Sequence, residues 1–404
     1  MRRSLPNKSN NNEKEIIMNK KNKKLALTGG AAAAEALKQI DLDVMPIYPI
    51  TPQTTIIETY AGFEANGEVE TEMIKVESEH SAMSAAIGAS SAGARTATAT
   101  SSQGLALMHE VLYIASGFRL PIMMLVSARA LASPINIHGD HSDVMGCRDS
   151  GWIQLFCENG QEVYDKTIIG MKLAEKVKLP IMVIMDGFNT SHSVENLEIL
   201  ETKVVQEFVG EFEAVSPLLD TENPVTYGAV ALQNSYFEFR IDQEEAMKNA
   251  EEEYEKIAKD FEKISGRKYD IFEEYRIEDS ASSADRAEKI MVLTGSAAGT
   301  AKVVVDKLRE VGEKVGILKI GLFRPFPHKK IAESLKNAKE IIVLDRAQSI
   351  GTFPPFYSEI TKSLYEAKEI KNIKSYVYGL GGRDIFQKQI EDVFADKIEG
   401  GYIK

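Results

Sequence analysis

The chain has 404 residues, of which 44% are hydrophobic and 27% charged, so it is long enough for two or three packed domains and too apolar for a disordered protein. A formal net charge of -12 argues against a general nucleic-acid binder, which needs a basic surface. Only two cysteines are present, Cys147 and Cys157, too few for the chain to hold an iron–sulfur cluster or a disulfide framework of its own.

The N-terminal segment is rich in Asn and Lys and has no apolar stretch of the kind found in signal peptides. We therefore predict a disordered basic tail over residues 1–23, of which residues 1–17 could precede a start at Met18. No run of 18 apolar residues occurs along the chain, so no membrane span is predicted and the cytoplasm is the expected location.

Residues 24–214 alternate short apolar runs with small-residue segments of helical composition. The predicted strands are residues 44–48, 72–76, 96–100, 121–126, 153–156 and 181–185, and the predicted helices are residues 31–39, 52–61, 78–92, 104–115 and 161–176. This alternation is typical of βαβ units, so we expect an α/β domain with a mostly parallel sheet.

The composition changes at residues 215–285, a charged linker in which residues 243–268 carry apolar positions at near-helical spacing among many Glu and Lys residues. A second, smaller α/β domain is predicted for residues 286–404. Its expected strands are residues 290–293, 315–320, 341–344 and 375–378. Its glycine-rich stretches, residues 295–299 and 379–382, match no nucleotide-binding fingerprint, and we interpret them as turns at helix starts.

The segment YPITP, residues 48–52, follows a predicted strand and contains two prolines. Thr51 followed by Pro52 is typical of a helix start, with a hydroxyl at the N-cap and a proline at the first helical position. Ligands bind at the carboxyl ends of strands in open α/β sheets, so Thr51 could also face a ligand there. The sequence alone does not decide whether Thr51 only caps the helix or also presents its hydroxyl to a ligand.

Two acids, Glu77 and Glu79, follow the next predicted strand and flank Ser78, a candidate N-cap for an alanine-rich helix. Acids at a helix start are commonly solvated and interact favourably with its positive end. This helix consists of small, mostly apolar residues on all sides, so we expect it to be buried. An acid at its N-terminal end would then lie in a pocket that excludes water. A carboxyl in such a pocket can share a proton with a neutral ring nitrogen.

Arg129 opens a loop after the strand at residues 121–126, and it could pair with a structural acid or bind a small carboxylate through its planar guanidinium. Farther along, residues 138–143 (HGDHSD) contain four possible metal ligands, but their spacing matches no standard metal site. We interpret residues 138–143 as a loop near the site, without an assigned role.

Together these residues resemble the alpha subunits of the pyruvate:ferredoxin oxidoreductase family. The similar segments are YPITPQT, ESEHSAM, ATSSQGLALMHE, RALASPINIHGDHSD, DSGWIQL, DGFNTSH, PLLDTENPVTYG, GRKYDIFEEYR, LFRPFP, VLDRAQSIG and YVYGLGGRD, spread over residues 24–395. The resemblance implies a pyrimidine-type thiamine diphosphate-binding domain over residues 24–214. It also implies a transketolase C-terminal-like α/β domain over residues 286–404. In this domain, residues 324–327 (RPFP), Asp345 and Arg346 are expected to fix subunit contacts rather than to catalyse.

The resemblance implies that the enzyme oxidatively decarboxylates pyruvate to acetyl-CoA and CO2, with coenzyme A as co-substrate and ferredoxin as electron acceptor. Thiamine diphosphate would be shared with a beta subunit that holds the diphosphate and Mg2+, and ferredoxin-like gamma and delta subunits would carry the iron–sulfur clusters. The chain agrees with this division, because it lacks cysteine clusters and the Gly-Asp-Gly run of the family's metal site.

The family's motifs assign roles to individual residues of this chain. Glu79, rather than Glu77, matches the glutamate that hydrogen-bonds the aminopyrimidine ring of the cofactor. Thr51 and Arg129 match the family residues that bind the substrate, and Pro49 and Ile50 are expected to contact the cofactor. Other 2-oxoacids, namely branched-chain acids, 2-oxoglutarate and oxalate, stay open as substrates. A non-catalytic scaffolding subunit is the alternative from another class of protein.

Overall fold

The structure is a computed structural model, and it describes residues 22–214, 216–278 and 285–404. The predicted tail over residues 1–23 lies outside these ranges apart from its last two residues, and Lys23 begins the first strand. Among the described residues, no helix combines the length and the apolar composition needed to cross a membrane.

A five-stranded sheet in the order β12-β6-β7-β5-β4, in which β12 is Leu322–Arg324, forms the centre of the first domain. Its parallel strands are β4 (Ala97–Thr100), β5 (Met123–Ala128), β6 (Ile153–Phe156) and β7 (Ile181–Asp186). Beside β4 lies a parallel pair, β2 (Val44–Ile47) and β3 (Glu72–Lys75), in which Val44 bridges to Thr96. The sequence predicted all six strands, because each is a short apolar run between helices.

Helices cover this sheet. They are α1 (Gly29–Ile40), α2 (Thr54–Ala65), α3 (Glu79–Ala92), α4 (Ser102–Leu107), α5 (His109–Gly117), α6 (Ser142–Gly146), α7 (Gly160–Val177) and α8 (Thr202–Val209). The predicted helix over residues 104–115 is divided at Met108 into α4 and α5. An antiparallel pair that the sequence did not predict, β1 (Lys23–Thr28) and β8 (Val194–Ile199), lies at the start of α1.

The amphipathic helix predicted over residues 243–268 is α9 (Tyr236–Ser265). Its buried face includes Ala250, Tyr254 and Phe261 and packs against α7. Helix α7 also packs against α1, so it lies in the middle of the first hydrophobic core. The charged side of α9 faces solvent, as the spacing of its apolar residues indicated.

The second domain has a five-stranded sheet in the order β14-β13-β10-β11-β9. Its elements are β9 (Phe272–Tyr275), β10 (Lys289–Leu293), α10 (Ala297–Glu310), β11 (Val315–Ile320), β12 (Leu322–Arg324), α11 (His328–Leu335), β13 (Glu340–Asp345), α12 (Pro355–Glu366), β14 (Asn372–Val377) and α13 (Gln387–Phe394). Residues 295–299 lead into α10 as expected. Residues 379–382 do not lead into an α-helix; Leu380–Gly382 form a single 3-10 turn, and α13 begins later, at Gln387.

The two sheets are joined by strands that cross the proposed boundary at residue 286. β9, from the range assigned to the linker, pairs antiparallel with β11 in the second sheet. β12, from the second domain, pairs antiparallel with β6 in the first sheet. Between the sheets, Lys319 of β11 makes ion pairs of 2.6 Å with Glu158 and Glu162. The boundaries at residues 215 and 286 stay predictions.

Candidate active site

The predicted site residues lie in loops at one edge of the first domain. Strands β2, β3, β4 and β5 run parallel, so the loops that follow them meet at their carboxyl ends. Thr51 and Arg129 lie in these loops, Glu79 is the first residue of α3, and Gly104 lies in the first turn of α4. The sheet therefore places residues from four separate stretches of sequence along the same edge.

Glu79 is the first residue of α3 and is only 7% exposed. Ser78 caps this helix as predicted, since its Oγ accepts a hydrogen bond from Ser81 N at 3.2 Å. Glu77, by contrast, is exposed, and the hydrogen bond that Ser81 Oγ donates to it at 2.5 Å lowers the pKa of the Glu77 carboxyl. Of the two acids, Glu79 alone is buried.

Gly104 of α4 lies directly against the Glu79 side chain. A Cβ atom at this position would lie 2.7 Å from Glu79 Oε1 and 2.5 Å from Thr100 Oγ1, so a larger residue requires a shift of its neighbours. Within the described ranges, no residue donates a hydrogen bond to the Glu79 carboxylate. Glu79 is 7% exposed as a residue, and its carboxylate can accept a hydrogen bond from a ligand that reaches this edge of the sheet.

Thr51 is exposed at the end of β2, but its expected role as a helix cap is wrong. Helix α2 begins at Thr54, its N-cap residue is Gln53, and it has no side-chain capping bond. The chain makes a further turn first, in which Gln53 N donates to Ile50 O at 2.9 Å. The Thr51 side chain therefore lies outside the helix, on the turn that precedes it.

Gln53 fixes this turn against the sheet. Its fully buried amide donates through Nε2 to Tyr48 O at 3.1 Å and to Ala99 O at 2.9 Å. Between the strand and this anchor, Pro49 is exposed and Ile50 is half-buried. Gln53 directly follows YPITP in the sequence, but its role was missed because Ala99 is 46 residues away along the chain.

Arg129 follows β5 and is 5% exposed. Its Nε donates to Asn136 O and its Nη1 donates to Thr51 O, each at 2.9 Å. The described part of the chain provides no acceptor for Nη2. The guanidinium is therefore fixed through two of its nitrogen atoms, while the third remains available to a carboxylate.

Asp143 connects the two loops that follow β4 and β5. Its Oδ2 accepts hydrogen bonds from Ser102 N at 2.8 Å and Arg129 N at 2.9 Å, and its Oδ1 accepts one from Val144 N at 2.8 Å. Burial raises the pKa of Asp143 to about 7, although these bonds favour the ionised form. Asp143 thus determines where the backbone of Arg129 lies relative to the start of α4.

Residues 138–143 do not converge as metal ligands would. Asp140 Oδ2 accepts from Gly381 N at 3.1 Å, and His141 Nε2 bonds to Asp186 Oδ1 at 2.6 Å. Among the residues that the structure describes, the carboxylates close enough to hold a metal are Glu158, Glu162 and Glu273. The Lys319 ammonium already pairs with all three. Residues 138–141 form a loop as interpreted, whereas Ser142 and Asp143 already belong to α6.

A buried ion pair joins the edge of the first sheet to the second domain. Arg346 Nη1 lies 2.6 Å from Asp186 Oδ2, which also accepts a hydrogen bond from Ser296 N at 2.9 Å. Burial opposes ionisation of Asp186, but the charge of Arg346 and the hydrogen bonds from His141 and Ser296 hold its pKa below the usual range. Arg346 is 5% exposed and pairs within this chain, and its expected part in subunit contacts stays a prediction.

Comparisons with known proteins identify relatives of both domains. Residues 35–259 match the family "Pyruvate flavodoxin/ferredoxin oxidoreductase, thiamine diP-bdg", and residues 287–390 match "Pyruvate:ferredoxin oxidoreductase core domain II". The pyruvate synthase subunit PorA of Thermotoga maritima is 54% identical over 380 residues, which cover 94% of this chain and 95% of that protein.

Two further relatives differ in the substrate that their names indicate. PorA of Methanocaldococcus jannaschii, a pyruvate synthase subunit, is 47% identical over 373 residues, covering 91% of this chain and 92% of that protein. The ketoisovalerate oxidoreductase subunit VorA of Pyrococcus horikoshii is 42% identical over 371 residues, covering 92% of each.

A solved structure shares the fold. It is a 2-oxoglutarate:ferredoxin oxidoreductase from Magnetococcus marinus with 2-oxoglutarate, coenzyme A and succinyl-CoA bound, and it matches with a TM-score of 0.70 at 21% sequence identity. The match covers 93% of this chain and 65% of that chain. At this identity the likeness supports the fold alone, an α/β architecture shared over most of this chain.

Proposed function

The chain belongs to the pyruvate:ferredoxin oxidoreductase family, and on this basis we propose that it is the alpha subunit of an enzyme that oxidatively decarboxylates pyruvate. Coenzyme A accepts the acetyl group, and ferredoxin accepts the electrons. The observation that carries the proposed site is the buried Glu79 carboxylate, which has no hydrogen-bond donor in the described part of the chain. It lies at the same sheet edge as Arg129, whose Nη2 also lacks a partner there.

The residues at this edge fit the aminopyrimidine half of thiamine diphosphate. Glu79 offers a carboxylate to a ring nitrogen, and the absence of a Cβ atom at Gly104 lets the Glu79 side chain lie directly against the backbone of α4. When bound, thiamine diphosphate supplies the electron sink that decarboxylation of a 2-oxoacid requires. Glu79 holds and moves the proton at the ring nitrogen it faces. Pro49 and Ile50, on the neighbouring corner, contact the cofactor.

Arg129 and Thr51 bind the substrate as one unit, since Arg129 Nη1 donates to Thr51 O. A carboxylate that leaves water for a closed site needs a charge-assisted partner, and the N–H groups of Arg129 Nη2 provide one. Thr51 adds an exposed hydroxyl on the adjacent turn. Both side chains orient the substrate, and neither requires a metal ion for this purpose.

Partner subunits complete the proposed enzyme. A beta subunit holds the diphosphate and Mg2+, and ferredoxin-like gamma and delta subunits carry the iron–sulfur clusters. Cys147 and Cys157 are both buried, the first directly after α6 and the second directly after β6, and two thiols are too few to ligate a cluster. Electrons leave through the other subunits to ferredoxin.

Ferredoxin reduction by the purified native complex tests this function. The assay supplies coenzyme A and compares pyruvate with 2-oxoisovalerate, 2-oxoglutarate and oxalate, and the highest kcat/KM is expected with pyruvate. A higher value with 2-oxoisovalerate would assign the chain to the substrate that the VorA relative's name indicates. If no 2-oxoacid supports reduction and no thiamine diphosphate co-purifies, the scaffolding alternative replaces the enzyme.

A further inference from the structure

A glycine turn of the second domain packs against the loop that follows Arg129. Gly381 and Gly382 have φ angles of 61° and 80°, a conformation that glycine adopts without a steric penalty. A Cβ atom at Gly381 would lie 2.4 Å from Asn136 Nδ2, and one at Gly382 would lie 2.3 Å from His138 Cβ. Both glycines are therefore required for the contact between the domains as well as for the backbone conformation.

Asn136 connects this turn to Arg129. Its Nδ2 donates to Gly381 O at 3.0 Å, and its Oδ1 accepts from His138 N at 2.7 Å. Its backbone carbonyl accepts the hydrogen bond from Arg129 Nε at 2.9 Å. Gly381 N donates in turn to Asp140 Oδ2 at 3.1 Å, on the same loop. The Asn136 side chain thus fixes the position of the carbonyl that anchors Arg129.

This anchor sets the orientation of the guanidinium. The group is planar, so holding Nε on Asn136 O and Nη1 on Thr51 O leaves one direction for Nη2. Without the Nε bond, the plane can rotate about the bond that remains. A guanidinium displaced in this way no longer aims its Nη2 donors at the substrate carboxylate, so the substrate binds less tightly.

We infer that Asn136, held by Gly381 of the second domain, is a positioning residue for Arg129. The inference rests on the proposed function, since it requires Arg129 to bind the carboxylate of a 2-oxoacid. The second domain then contributes to substrate recognition through a hydrogen bond, without a side chain of its own in contact with the substrate.

The test compares variants of the complete complex with all of its subunits. Asn136→Ala removes both side-chain bonds, whereas Asn136→Asp keeps the acceptor for His138 N and loses the donor to Gly381 O. Gly381→Ala crowds Asn136 Nδ2 and strains a backbone with φ of 61°. Gly400→Ala is the matched control, because Gly400 has a φ of 79° and no neighbouring atom within 4 Å of its Cβ position.

We expect Asn136→Ala and Gly381→Ala to raise KM for the 2-oxoacid about tenfold, which corresponds to about 1.4 kcal/mol. The kcat at saturating substrate and the affinity for thiamine diphosphate stay near wild type. Gly400→Ala keeps the wild-type KM. A role confined to stability would instead lower the melting temperature and the amount of active complex, with KM unchanged, and that result would overturn the inference.

A double-mutant cycle with Arg129→Ala separates this inference from the proposed function. If Asn136 acts through the guanidinium, adding Asn136→Ala to Arg129→Ala produces no further rise in KM. Equal rises in both backgrounds would overturn the positioning role. Unchanged KM in Arg129→Ala itself would overturn the proposed substrate site. A large effect of Arg129→Ala combined with wild-type KM in both Asn136 variants would overturn only the present inference.

Discussion

Arg129 Nη1 donates to the backbone carbonyl of Thr51 at 2.9 Å, which joins the residues that follow β5 and β2. The bond uses the main chain of Thr51, and among the described residues no hydrogen bond involves its hydroxyl. The position of the guanidinium and the position of the turn therefore depend on each other. A change at Arg129 is expected to affect both residues of the proposed substrate site.

Arg129→Ala is expected to raise KM for the 2-oxoacid by roughly 10- to 100-fold, since a hydrogen bond to a charged group contributes about 1.5–3 kcal/mol. Thiamine diphosphate affinity should change little, because the hydrogen bonds of the Arg129 side chain go to Asn136 O and Thr51 O and not to Glu79. Steady-state ferredoxin reduction and cofactor titration measure the two quantities. Arg286→Ala, which breaks a surface ion pair with Glu278, is the control and should keep the wild-type KM. An unchanged KM in Arg129→Ala would remove the substrate-binding role.

Glu79→Gln is expected to slow the exchange of the thiazolium ring proton of thiamine diphosphate by roughly 10²- to 10⁴-fold, the range of general acid–base catalysis. The amide keeps the shape of the side chain but cannot hold the proton as a carboxyl does. Hydrogen–deuterium exchange of the cofactor in the assembled enzyme measures this rate. Glu77→Gln changes an exposed acid two residues away and should leave the rate unaltered. Wild-type exchange in Glu79→Gln would refute the assignment.

Gly104→Ala is expected to displace the Glu79 carboxylate, because the added Cβ atom would lie 2.7 Å from Oε1. Overpacking of this kind costs about 1–3 kcal/mol, so thiamine diphosphate affinity should fall by about tenfold or more. Activity measured against cofactor concentration gives the affinity. Gly88→Ala in α3 is the matched control, since no atom lies within 4 Å of its Cβ position. Equal affinities in the two variants would contradict this account of Gly104.

Asp143 is expected to make stability depend on pH, because burial raises its pKa to about 7. Between about pH 4 and pH 7 the unfolded chain releases this proton while the folded chain keeps it, so the free energy of unfolding falls as pH rises, by at most about 1.4 kcal/mol per pH unit. Asp143→Asn removes the titrating group and should flatten the slope in that window. Melting temperatures of the two complexes at several pH values measure the difference. Parallel curves would show that Asp143 does not titrate there.

The sequence was sufficient to predict the parallel strands of the first sheet and the Ser78 cap, since both depend on neighbouring residues. It also placed Glu79, Thr51 and Arg129 at one edge, because parallel strands end together. The motif favoured Glu79 over Glu77, and the structure agrees in that Glu79 alone is buried. Local rules, by contrast, placed the helix start at Thr51 and missed the turn that precedes Thr54.

The features that could not be predicted depend on contacts between distant parts of the chain. Gln53 bonds to a carbonyl 46 residues away, and Asn136 bonds to Gly381 across 245 residues. The turn at residues 379–382 was interpreted as a helix start, because glycine patterns alone do not identify the surface that a turn contacts. Such pairings depend on how the two sheets pack, and a single sequence does not specify that packing.

The pairing of β12 with β6 limits how the protein can be divided. A fragment that ends before residue 286 would lack Leu322–Arg324, and the backbone of β6 would become an open edge. Exposed edge strands recruit other chains through their unpaired N–H and C=O groups, so such a fragment is expected to aggregate. The second domain therefore covers an edge strand of the first domain. Expression of the N-terminal part in soluble form is expected to require the C-terminal part, either in the same chain or as a separate fragment.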